Sequence, residues 1–206
     1  MRQLGNLVLL SLFFVVSAAS PARAGWDPEL ASRAQETIAR FTQADPTLNT
    51  FFEKSYGYAV FPRVGKGAVG IGGAYGTGVV YERSVKNADK SAEKKETRWE
   101  PVGTARLMQF TLGVQLGGQA YSEVIFFEDK ATLDRFKQGN YEMSAQASAV
   151  AADKGAATNV DYSSGVAIFT LAKGGLMFEA SVGGQKFTFE PKDNVMAEGK
   201  APGSGY

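Results

Sequence analysis

The sequence predicts an α+β fold: N-terminal helices packed on a strongly twisted, mainly antiparallel β-sheet of about seven to nine strands, curled toward a barrel. Three observations lead there. Two Asp-Pro helix starts, Asp27-Pro28 and Asp45-Pro46, precede every strand signal. A glycine-rich stretch from Ser55 to Tyr81 then switches the side-chain period to two. After it, alternating apolar runs separated by Gly-Gly pairs recur as far as Pro191.

The chain has 206 residues, enough for one domain with a real core. Its start reads differently from the rest. Met1-Arg2 form a positive beginning, Leu7 to Val16 is apolar except for Ser11, and Ala22-Arg23-Ala24 has the small-x-small form of a signal-peptidase site. We therefore expect residues 1–24 to be an export signal, 25–191 a single domain, and 192–206 a polar, disordered tail. A retained anchor is the alternative for the first segment, although its apolar run is shorter than the roughly 20 residues of a comfortable span. Cysteine is absent, so neither a lipidated cysteine nor a disulfide is available.

Within the domain, Asp27 caps a helix whose Leu30, Ala34, Ile38 and Phe41 share a face. That face serves either the core or a lipid interface. Asp45-Pro46 opens a shorter helix carrying Leu48, Phe51 and Phe52, ended by Ser55 to Gly57. In the glycine-rich stretch, Pro62 to Gly65 reads as a basic, glycine-rich turn, and from Val69 the even positions are Gly70, Gly72, Ala74, Gly76 and Gly78. One strand face is thus almost bare. Each interior glycine costs roughly 0.5–1 kcal/mol relative to alanine, which calls for a packing or binding reason.

Ser84 to Arg98 is charged on both signs and reads as a solvated hairpin tip, with a lysine-rich contact to anionic headgroups as the sharper alternative. Met108, Phe110, Leu112, Val114 and Leu116 alternate with polar or small residues, predicting a strand with those five facing inward. Tyr121 to Phe127 follows as its hairpin partner. Asp129 caps a helix with Leu133 and Phe136 inside and Gly139 at its end. Met143 to Ala152 is a weak strand, and Val166–Leu171, Leu176–Val182 and Gln185–Phe189 read as tandem hairpins.

The chemistry available is narrow. With no histidine and no cysteine, the common neutral-pH base, the thiol nucleophile and the usual zinc ligands are missing. Nothing calls for a metal or cofactor, and no catalytic residue is assigned. Glu123, Glu128, Asp129 and Glu179 could serve a two-carboxylate hydrolase only if the fold paired them; exposed strand positions are the plainer reading, though Glu123 and Glu179 sit among apolar neighbours. Charge also limits partners. Without residues 1–24 the chain loses Arg2 and Arg23, leaving 20 basic against 21 acidic residues, so no global attraction to nucleic acid exists.

The parts for lipid recognition are cationic donors, backbone amides and amphipathic rings. Lys54, Arg63 and Lys66 lie around Pro62 and Gly65, with Tyr56 and Tyr58 nearby. Ordinary solvated lysines and packed tyrosines are the alternative for each. Ala59-Val60-Phe61 before Lys66-Gly67 is echoed by Ala167-Ile168-Phe169 before Lys173-Gly174, which adds Lys173 to the candidates.

Ser55-x-Gly57-x-Ala59-x-Phe61-Pro62-x-Val64-x-Lys66-Gly67, with Gly72-Gly73 and Gly76-x-Gly78, resembles the opening motif of the SYLF domain, the Ysc84 or Las17-binding actin-regulator family. Trp99-x-Pro101, Gly113-x-Gln115-x-Gly117-Gly118-Gln119 and Tyr162-Ser163-Ser164-Gly165 with Phe169 follow in the family's order, from about Ala31 to Pro191. The resemblance implies a lipid-binding module. Phosphoinositide and actin-related roles belong to eukaryotic members, and many bacterial members are exported. The expectation is a non-catalytic domain of the bacterial cell envelope or periplasm that binds anionic phospholipid, with a protein partner in the envelope as a further prospect. A structural outer-membrane β-barrel is the alternative, and a carboxylate-dependent hydrolase a weaker one.

Overall fold

The computed structural model describes residues 26–69, 71–85, 97–112, 117–144, 148–173, 179–181 and 183–192. The expected export signal, most of the charged tip and the C-terminal tail lie outside them.

Helix α1 runs Pro28–Ala44, and a 3-10 turn at Pro46–Leu48 leads into α2, Asn49–Lys54. Both starts are built as their sequences predict. The Asp27 carboxylate accepts from Glu29 N–H at 2.9 Å, and Asp45 accepts from Thr47 N–H at 3.0 Å. Leu30, Ala34, Thr37 and Phe41 are the buried face of α1. Thr37 is tolerated there because its hydroxyl donates to the Arg33 carbonyl at 2.8 Å.

The strands are β1 (Gly57–Val69), β2 (Ile71–Val85), β3 (Thr97–Leu112) and β4 (Gly117–Phe127), then α3 (Lys130–Lys137) and five shorter strands. Those are β5 (Tyr141–Glu142), β6 (Ser148–Ala151), β7 (Val166–Ala172), β8 (Glu179–Ser181) and β9 (Lys186–Pro191). They form one sheet of order β5-β9-β3-β2-β1-β4-β7-β6-β8. All pairs are antiparallel except β6 with β7.

Three expectations of topology are corrected. The run from Tyr121 is not the hairpin partner of the run from Met108, since β4 pairs with β1 and β7 while β3 pairs with β2 and β9. Pro62 to Gly65 is not a turn: β1 continues through it, with an extra residue between Val60 and Arg63 against β2 and between Phe61 and Val64 against β4. A bulge is where a central strand accommodates proline. Nor do the last strands form tandem hairpins, since β8 pairs with β6 and β9 crosses to pair with β3.

The bulge explains the bare face of β2. A Cβ on Gly78 would lie 2.5 Å from the Val60 carbonyl oxygen and 2.7 Å from the Phe61 ring, and one on Gly76 3.0 Å from the Arg63 carbonyl oxygen. These glycines admit neighbouring backbone rather than a ligand.

The sheet is strongly curled. In a flat sheet, β4 and β9 would stand about 19 Å apart, four strand spacings. Instead Gln185, just before β9, donates to the Glu123 carboxylate of β4 at 3.1 Å. The concave side holds one core, with α3 placing Phe136 against Phe127, Tyr141 and Phe187. The convex side holds a second, where α1 and α2 cover Tyr58, Val79, Tyr81, Phe126 and Phe169.

On β3 the inward and outward faces are the reverse of the prediction. Gln109 is 2% exposed, whereas Met108 is 39% and Phe110 79% exposed. The Gln109 amide donates to the Gly183 carbonyl at 2.9 Å, anchoring the turn that closes over the concave side. Leu112, Val114 and Leu116 belong to side chains or residues outside those described.

Candidate functional site

Along one side of α1, from Leu30 to Arg40, a groove of about 730 Å³ opens on the convex face between the helix and strands β1 and β2. Its lining includes Arg33, Arg40, Arg63, Tyr75, Thr77 and Lys173, with Glu36 as the acid. Register explains the gathering. Arg63 lies opposite Thr77, Gly65 opposite Tyr75 and Ala120, and Lys173 N–H bonds to the Ala120 carbonyl at 2.9 Å. Arg40 comes from the last turns of α1.

The groove's cations are not equivalent. Arg33 is engaged by Glu29 and by Asp27 at 3.4 Å. Arg40, Arg63 and Lys173 make no ion pair among the described residues. Partial burial lowers the Lys173 ammonium below its ordinary range, and the positive charges of Arg40 and Arg63 push it the same way. Three cations that repel one another around a partly sheltered space favour an anion between them.

The six residues singled out in the sequence are divided by the fold. Arg63 and Lys173 meet in the groove. Lys66 points to the opposite, concave side, sharing its cross-strand row with buried Ala74 and Gln109. The sequence echo does not superpose: Ala59 pairs with Ile125, which on its other side pairs with Ile168 rather than Ala167. That one-residue offset turns the two copies to opposite faces. Lys54 lines a separate cleft of about 410 Å³ with Asp161 and Tyr162. Tyr56 is half-buried against the concave core, at the end of β1 about 30 Å from Lys66. Tyr58 is 3% exposed, its ring stacked 5.0 Å from Tyr81 and set edge-on to Trp99 at 4.8 Å. Burial pushes its phenol far above the ordinary range, followed by the effect of Tyr81.

Arg40 escaped sequence reading. It lies off the apolar stripe of α1, where a solvated arginine is the ordinary expectation; only the helix's position over the bulge brings it to Arg63.

Among the acids, Glu123 is fully buried, and burial raises its carboxyl to about 7, partly offset by the Gln185 amide. Its register neighbour across β7 is Thr170, not a second acid. Asp129 caps α3, accepting from Thr132 N–H at 2.7 Å, and the Thr132 backbone and hydroxyl hold its carboxyl low. Glu128 is exposed, and the Glu179 side chain lies outside the described ones. The described residues therefore bring no second carboxylate to Glu123, and hold no cluster of three acids.

Fold and groove together define a curled-sheet domain with a groove lined by Arg40, Arg63 and Lys173, cations that make no ion pair among the described residues. Residues 108–197, somewhat less than half of the chain, match the family described as Ysc84: Las17-binding protein actin regulator. A curated relative, "Beta cell expansion factor A" of Aeromonas veronii, is 29% identical over 154 residues. The alignment takes in 75% of this chain and 53% of the relative, so the chain spans about half that protein's length.

Proposed function

We propose that this is a non-catalytic domain that binds anionic phospholipid headgroups at a membrane surface of the cell envelope. The observation that carries the reading is the convergence of Arg40, Arg63 and Lys173 on one groove. Guanidinium pairs suit phosphate geometry, and an arriving anion offsets both the burial that chiefly depresses Lys173 and the repulsion from Arg40 and Arg63 that adds to it. Export by residues 1–24 would bring the domain to that compartment. The outer-membrane barrel is less consistent with the described residues, because much of the convex face lies under α1 and α2 rather than facing lipid. The family description, an actin regulator binding Las17, supports a protein partner as the reading that remains if vesicles are not bound.

The test is co-sedimentation of the chain from Gly25 with neutral and anionic vesicles at low and high salt. Binding should favour anionic vesicles and weaken with salt. The Arg40→Glu, Arg63→Glu, Lys173→Glu variant should lose it while keeping its far-UV spectrum. Unchanged binding by that variant would remove the groove from the reading.

A further inference from the structure

Beside the groove, the convex face carries the described residues' large apolar side chains left to solvent: Tyr75, Met108 and Phe110. They form one patch. Tyr75 pairs with Met108, and Phe110 lies opposite Gly73, one inward-facing residue further along β3. A single cross-strand row runs Lys186, Met108, Tyr75, Gly65 and Ala120 to Lys173. The next row is Arg106, Thr77 and Arg63. Apolar side chains and groove cations therefore look out from the same face.

We propose that Tyr75, Met108 and Phe110 enter the interfacial layer of an anionic bilayer while Arg40, Arg63 and Lys173 hold its headgroups. This rests on the headgroup reading above and adds a penetrating element to it. An amphipathic ring and two apolar side chains suit the depth just below phosphates, and cations flanking them suit an anionic surface. A second copy apposed through this face would bring two sets of like charges together. Of the acids on or near the face, Glu190 is held by Arg106 at 2.9 Å, Glu142 lies 3.5 Å from Lys186, and Glu36 stands in the groove among its cations.

The chain has no cysteine, so one introduced thiol takes a label unambiguously. Phe110→Cys carrying an environment-sensitive fluorophore should shift to the blue on anionic vesicles and be quenched by lipids brominated near the headgroup. Lys130→Cys, on exposed α3, should do neither. In parallel, Tyr75→Ser, Met108→Ser, Phe110→Ser should keep low-salt binding but lose about tenfold or more of the binding that survives high salt. If unlabelled protein binds anionic vesicles with salt sensitivity while the probe at 110 stays unchanged, penetration is overturned and the headgroup reading stands. If unlabelled protein binds no vesicle, both fall. A probe shielded in lipid-free protein, with sedimentation showing a dimer, overturns penetration in favour of a second copy.

Discussion

The two ends of the β2–β3 pair are built from the same alternation and meet opposite fates. At one end Val79 and Tyr81 are buried under α1 and α2, while at the other Tyr75, Met108 and Phe110 face solvent. Length decides between them. The 17 residues of α1 span about 26 Å, whereas the 15 of β2 span about 50 Å, so the helix roofs only part of the strand. An apolar strand face is buried only where something long enough lies over it.

The sharpest way to break this comparison is to cut one aromatic ring from the covered row that runs from Tyr81 through Tyr58 to Phe126 on β4, and one from the bare end of β3. Phe126 is fully buried, 4.7 Å from Phe52 and 5.3 Å from Phe51 by ring centroid. Phe126→Ala should cost about 3–5 kcal/mol in urea unfolding, and Phe110→Ala less than about 0.5 kcal/mol. Equal costs would mean that the bare end is covered in solution.

A buried charge gives the next largest effect. The folded chain holds the Glu123 proton more tightly than the unfolded chain, because burial raises that carboxyl from 4.5 to about 7. Stability should therefore fall as pH rises from the unfolded carboxyl's range through about 7, by on the order of 3 kcal/mol in total. Glu123→Gln should flatten that slope in denaturant titrations between pH 4.5 and 8. An unaltered slope would place its origin elsewhere.

Glycines provide the smallest contrast. Gly78→Ala drives a methyl group into the Val60 carbonyl and Phe61, and should cost about 1–3 kcal/mol. Gly65→Ala, on the open groove, meets no atom within 4 Å and should stay within about 0.5 kcal/mol in thermal unfolding.

Much of the architecture was legible because local chemistry determined it. The aspartate caps at 27, 45 and 129 and the helix-to-strand change of period each carry their own signal. The orientation of β3 was not legible, since Met108 and Phe110 alternate as a buried face would, and the reason for Gln109 lies 74 residues away at Gly183. Strand order failed for a similar reason: Val166, Leu176 and Gln185 begin runs that resemble hairpins, but the choice of partner depends on distant edges. Of the candidate site, Arg63 and Lys173 were found through a motif and an echo. Their meeting point was set instead by the bulge, the shared neighbour β4 and a helix whose Arg40 carries no sequence signature.

The contact between Gln185 and Glu123 also bears on how the chain reaches this form. The Glu123 carboxylate waits on β4 for an amide 62 residues later in the chain, and β9 must find β3 across the whole width of the sheet. During synthesis the first four strands can pair in Greek-key order, β3-β2-β1-β4, while the concave side remains open. Its closure comes only when the segment from 183 to 191 has been made, a long-range pairing of the kind that slows folding.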